Sequence, residues 1–176
     1  MVYTYLLMWQ YRILKMAHII VTGGNPKRKK HVASIAQYAL DKLVSKRLNN
    51  ALDIKISLTK GLINDHGVYG DCIYTDDEFT SRPRRFLVRL DNSQRLRPLL
   101  TTLAHEIVHV KQWAKGEMYE YCNLHSTTRW KQRKIKTDKL NYWDLPWEIE
   151  AHGRELGLFI RWCEDNKLGH LKWTQE

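Results

Sequence analysis

The five residues His105-Glu106-Ile107-Val108-His109 constrain this chain more than any others. They read H-E-x-x-H inside an apolar, helix-compatible run. On an α-helix residues i and i+4 lie one above the other on the same face, so both imidazoles can reach one metal ion. Glu106, next to the first histidine, is then placed to take a proton from a water on that ion. Two histidines and a carboxylate at this spacing form most of a catalytic zinc site. Pro98 suits the first turn of the helix and Gly116 its C-terminal stop.

The flanking segments predict the rest of the fold. Ile19-Ile20-Val21 reads as a short strand that ends at Gly23-Gly24-Asn25-Pro26. The glycines there lack the G-x-x-x-x-G-K-[ST] pattern, so the segment is read as a plain turn and not a phosphate loop. A periodic helix follows, with Val32, Ile35, Ala36, Ala39, Leu40, Leu43 and Val44 on one stripe. Ile54, Ile56 and Leu58 alternate with Asp53, Lys55 and Ser57 as in a half-buried strand. Turn residues around Val68-Tyr69 and Cys72-Ile73-Tyr74 predict a hairpin between Gly61 and Asp77. Phe86, Val88 and Leu90 mark another strand that leads into the H-E-x-x-H helix. Residues 118–142 show no clear period, and Pro146 opens a last helix running to about Trp162. Trp113 and Trp162 lie at helical spacing in apolar stretches and read as core. The expected fold class is α+β, with helices packed on one side of a small antiparallel or mixed sheet.

At 176 residues one domain is expected, spanning 16–176, with residues 1–15 an extension upstream of Met16. Arg12 and Lys15 interrupt the apolar N-terminus, which argues against an export signal or a membrane anchor. Cys72, Cys122 and Cys163 are dispersed and odd in number, which fits a reducing compartment such as the cytoplasm. The formal charge of +10 favours anionic partners, nucleic acid first.

A catalytic zinc ion usually takes three protein ligands. Downstream of His109 the candidates are Glu148, Glu150 and His152 in Trp147-Glu148-Ile149-Glu150-Ala151-His152. Glu148 and His152 share a helix face, which Leu156 and Phe159 continue toward the core. Glu150 is about 200° away around the helix. Helix geometry therefore favours Glu148 as third ligand, with His152 orienting a ligand or standing as the alternative.

Thr101-Thr102-Leu103-Ala104-His105-Glu106-Ile107-Val108-His109, followed by Pro146-Trp147-Glu148-Ile149-Glu150-Ala151, resembles the zincin metallopeptidases. It is most similar to compact SprT-like metallopeptidases, small phage-encoded ones included, and matches the gluzincin pattern of a later Glu-bearing helix. The resemblance covers roughly residues 50–160, and its specific part is the two motif segments. It implies a minimal zincin-like fold, Zn2+ on His105, His109 and Glu148, and Glu106 as catalytic base. The C-terminal zinc ribbon of many SprT proteins is absent, and their third ligand is often a histidine. The resemblance thus leaves Glu148, Glu150 and His152 unranked. It further implies an extended substrate along an edge strand, for which Phe86–Leu90 is the candidate. Tyr142, His125 and His152 are candidates to stabilise the oxyanion.

Between the two ligand-bearing helices lies a basic segment carrying Arg129, Lys131, Arg133, Lys134, Lys136 and Lys139, with Trp130 among them. It is expected near the cleft, where the cations would meet phosphates and Trp130 would stack on a base. The expected function is a cytoplasmic zinc-dependent peptidase (in the host cytoplasm, were the chain viral) acting on protein substrates, DNA-associated ones among them. DNA or RNA contact runs through the basic segments, and no membrane partner is expected. The alternatives are a nucleic-acid-binding protein with a structural or vestigial metal site, and a regulatory peptidase that cuts one partner.

Overall fold

β1 (His18–Gly23) and β2 (Asp53–Thr59) run parallel, with α1 (Pro26–Leu43) and the short α2 (Lys46–Asn49) between them in the chain. This is a computed structural model, and it describes residues 16–77, 80–121 and 124–175. The extension assigned to 1–15 lies outside the described residues. Beyond β2 come α3 (Leu62–His66), β3 (Gly70–Tyr74), β4 (Arg85–Asp91) and α4 (Leu96–Ala114). Three short strands follow, β5 (Met118–Glu120), β6 (Thr127–Trp130) and β7 (Arg133–Lys136), and then α5 (Pro146–Asp165).

The first sheet has the order β1-β2-β4-β3, parallel except for the antiparallel β3–β4 pair. It is a small mixed sheet, and the architecture is α+β. Alternation sets its layers: Ile54, Ile56 and Leu58 are buried beside Phe86, Val88 and Leu90, while Asp53, Lys55 and Arg85 face outward. The apolar face is covered by helices. α4 packs on α1 and α5 as well as on β3 and β4, which buries every residue from Leu103 to Ala114. A helix enclosed on all sides reads as apolar all round, and its few polar members then need a reason to be there. The last helix is locked to the first by Trp162, 1% exposed, whose indole N–H donates to Ser34 Oγ at 3.0 Å. Burying a side chain of that size contributes about 2–3 kcal/mol. Among the described residues no helix is long and apolar enough to cross a membrane.

Three expectations are corrected, and strands lie where the sequence shows no period. The segment 61–77 is no hairpin, because its first half is α3 and its only strand, β3, pairs with β4. Phe86–Leu90 is no edge strand, since β4 is hydrogen-bonded on both sides and β3 holds the edge. Strands β5, β6 and β7, in the region without a clear period, form a separate three-stranded antiparallel sheet. Leu156 does not continue the core face of α5: it is exposed, and Leu158 and Phe159 are buried instead.

Candidate metal centre

His105 and His109 sit one turn apart on α4 and Glu148 in the first turn of α5, where a carboxylate also meets the positive end of the helix. The crossing of the two helices brings their ligand atoms together. His105 Nε2 and His109 Nε2 are 3.0 Å apart, and Glu148 Oε2 lies 3.3 Å from the first and 3.5 Å from the second. A tetrahedral zinc ion with bonds of about 2.0–2.1 Å separates its ligand atoms by about 3.3 Å. The triangle has that size.

The far side of each ring decides what the near side carries. Gln112 is fully buried, and its Nε2 donates to the Trp147 carbonyl at 2.9 Å and to Glu150 Oε2 at 3.1 Å. Its Oε1 therefore faces His109 Nδ1, 2.8 Å away, and must accept a proton from it. His105 Nδ1 lies 2.7 Å from Glu155 Oε2, so it too is a donor. In the neutral rings both Nε2 atoms then present lone pairs to one another and to a carboxylate oxygen. Three acceptors aimed at one point fit a cation, and this donor set fits zinc.

Without metal, a proton does part of that work. Burial disfavours the His105 imidazolium, but hydrogen bonds to Glu148 and Glu155 outweigh it and push its pKa up to about 9. Burial pushes Glu148 upward as well, yet hydrogen bonds from His105, His109 and Tyr142 hold it well below the carboxylate range. The Tyr142 hydroxyl donates to Glu148 Oε2 at 2.7 Å, and burial together with that carboxylate keeps the phenol protonated. Burial pushes Glu106 up to about 7, with Asp71 and Glu148 adding to it against the two histidines. A carboxyl poised there can both take and return a proton at neutral pH.

A cleft of about 560 Å³ opens on His105 and Glu106. Gly70 lets the edge strand β3 come close to its floor: a Cβ there would stand 2.6 Å from Thr102 Cγ2 and 3.2 Å from Glu106 Oε1. His152 also lines the cleft, its ring 4.5 Å from that of His105 and its Nδ1 3.3 Å from Glu155. Among the described residues its buried Nε2 has no hydrogen-bond partner.

The remaining sequence candidates fall elsewhere. Glu150 does not face the ligand triangle; it pairs with Lys111 Nζ at 2.8 Å and accepts from Gln112. His125 is exposed on the loop before β6, in a different depression that borders Thr128 and Trp147. Trp130 is buried against Trp147, ring centroids 6.2 Å apart, and is not available to stack on a base. Its neighbours Arg133, Lys134 and Lys136 are exposed on the β6–β7 hairpin. No residue of the basic segment lines the cleft, which corrects its expected position. Sequence reasoning missed Glu155 and Gln112. Both carried a signal, since Glu155 is seven residues beyond Glu148 on one helix face and Gln112 three beyond His109.

Comparison of the chain with family models, with curated proteins and with solved structures finds no match. The likeness to zincins therefore rests on the two motif segments.

Proposed function

We propose that this chain is a zinc-dependent peptidase. The observation that carries the reading is the convergence of three ligand atoms, from His105, His109 and Glu148, within 3.5 Å of one another beside a buried Glu106. Bound zinc would supply Lewis-acid polarisation of the attacking water and of the substrate carbonyl. Glu106 takes a proton from that water as its oxygen bonds to the amide carbon. The same carboxyl then delivers the proton to the departing nitrogen as the C–N bond breaks. Tyr142 holds Glu148 in place, and the Nε2 of His152, without a hydrogen-bond partner among the described residues, is the candidate donor to the oxyanion. Glu155 supports both His105 and His152.

Elemental analysis and peptide hydrolysis test the assignment together. Wild type should hold about one zinc per chain, Glu148→Ala almost none, and Glu150→Ala most of it. Glu106→Gln should keep the metal and lose hydrolysis by about 10²–10⁴-fold. Wild type without zinc after reconstitution overturns the reading. A second reading, a nucleic-acid-binding protein whose metal site is structural, draws on the exposed cations of the β6–β7 hairpin. Salt-dependent DNA binding that survives Glu106→Gln, with no hydrolysis of any peptide by wild type, would favour it.

A further inference from the structure

The chain is strongly basic, yet among the described residues the cleft is lined by no lysine or arginine. Its carboxyl and imidazole lining is Glu106, Glu155, His105 and His152. Around them stand four large, exposed side chains, Val68 and Tyr69 from the α3–β3 loop and Tyr142 and Trp143 from the 3-10 turn before α5. Trp143 is 66% exposed and Tyr69 55%. Apolar residues scattered singly over a surface need no explanation; four gathered on the rim of one polar floor mark a recognition site.

Both lips are held in place. The Tyr69 carbonyl accepts from Asp91 N at 2.8 Å and from Gln94 Nε2 at 3.1 Å, which ties it to the end of β4. Asp91 is fully buried and also accepts from Ile63 N, so α3, the loop and β4 form one rigid corner. On the other side Trp143 stacks on His152 at 4.9 Å and 34°, and its backbone N–H donates to Asn141 Oδ1. A backbone anchored at Tyr69 and a Trp143 ring already packed on His152 leave less entropy to lose when a ligand binds.

We infer that the cleft selects a peptide with a large apolar or aromatic side chain beside the scissile bond, gripped between the Tyr69 and Trp143 lips, and rejects acidic side chains. The inference rests on the peptidase reading and adds the substrate class to it. Charge gives the second half. An aspartate or glutamate side chain entering here would meet the carboxyl groups of Glu155 and Glu106, with no lysine or arginine among the described lining residues to pair with it. The positive charge of the molecule lies elsewhere, on the β6–β7 hairpin among other places, and does not reach this selection.

The test is binding, so it does not depend on turnover. Gly-Phe, Gly-Gly, Gly-Lys and Gly-Asp hydroxamates, which chelate zinc and differ only in one side chain, are titrated calorimetrically into the zinc-loaded full chain. The Phe probe should bind about tenfold or more tighter than the Gly probe, and the Asp probe weakest of the four. In Trp143→Ala and in Tyr69→Ala the Phe-to-Gly ratio should fall toward one, and Trp143→Phe should restore most of it. Zinc content measured on each variant shows whether the metal centre is intact. If the Gly probe binds while the Phe probe binds no better, or the Asp probe binds as well as Phe, the selection is refuted and the peptidase reading stands. If no probe binds zinc-loaded protein, or zinc does not load, both fall.

Discussion

Replacing Gln112 by leucine separates orientation of a metal ligand from stability of the helix pair. The side chain is fully buried and makes three hydrogen bonds, accepting from His109 Nδ1 at 2.8 Å and donating to the Trp147 carbonyl at 2.9 Å and to Glu150 at 3.1 Å. Leucine fills similar volume and makes none of them. Glu150 keeps Lys111 and the Trp147 carbonyl keeps its place in the α5 hydrogen-bond ladder, but His109 Nδ1–H is orphaned inside the protein. At about 1–3 kcal/mol for an orphaned buried group, the metal-free variant should lose about 1–3 kcal/mol of stability. A second effect falls on the ion, because a histidine ligand whose far nitrogen is unheld gives up about 10–100-fold in metal affinity. Urea denaturation of chelator-treated protein measures the first, and competition with a chromophoric chelator the second. Gln112→Glu restores an acceptor to His109 but sets a carboxylate against Glu150, so it should recover affinity for zinc without recovering stability. A Gln112→Leu variant that binds zinc within about twofold of wild type would refute the role, whatever its stability, because the expected loss is at least about tenfold.

Further expectations follow from the same contacts. Glu155→Gln leaves His105 Nδ1 without its carboxylate at 2.7 Å and should weaken zinc binding by about 10–100-fold, read in the same competition assay. In the metal-free protein, the folded pKa of His105 lies above its unfolded 6.5, so its contribution to stability is complete below pH 6.5 and is lost as pH rises through about 9. Urea midpoints of chelator-treated protein should fall across that window, by the equivalent of about 3 kcal/mol, and saturating zinc should flatten the slope. On the hairpin, Trp130→Ala should cost about 3–5 kcal/mol by thermal or urea unfolding because the ring is packed on Trp147. Replacing Arg133, Lys134 and Lys136 together by alanine should leave stability within about 0.5 kcal/mol per site, and it should reduce the salt dependence of any DNA binding seen by band shift.

What could be read from the sequence was whatever depends on spacing within one element. The α4 run is apolar on every side because sheet, α1 and α5 enclose it, and its histidines and Glu106 stood out against that background. The i,i+4 spacing likewise put Glu148 and His152 on the side of α5 that meets the centre. What could not be read was what lies across from each element. The helical wheel correctly turned Glu150 away from Glu148 but could not show that Lys111 and Gln112 wait there. Strands β5 to β7 are three or four residues long, and β7 is mostly Lys and Arg, so they are too short, and the last too charged, for a period to show. The assignment of β4 as an edge failed because β3, with Gly70 and Asp71 in a five-residue strand, gives almost no strand signal of its own.

This division bears on how the centre would bind metal. Its three ligands come from two helices whose crossing is fixed by a core the metal does not touch, including Ala151, Phe159 and Trp162 on α5 and Leu103, Ile107 and Val110 on α4. Both histidine rings are held from behind, by Gln112 and Glu155, and Glu148 is held by Tyr142. Small metal-dependent domains behave differently: their sites do not exist before the ion arrives, and chelation unfolds them. Here the 31 buried apolar residues among those described and the hydrogen bonds around the triangle are complete without it. Chelation should therefore remove the ion and leave circular dichroism in the far and near ultraviolet unchanged at neutral pH. Loss of the near-ultraviolet signal on chelation would mean that the ion, and not the crossing of α4 and α5, sets the geometry.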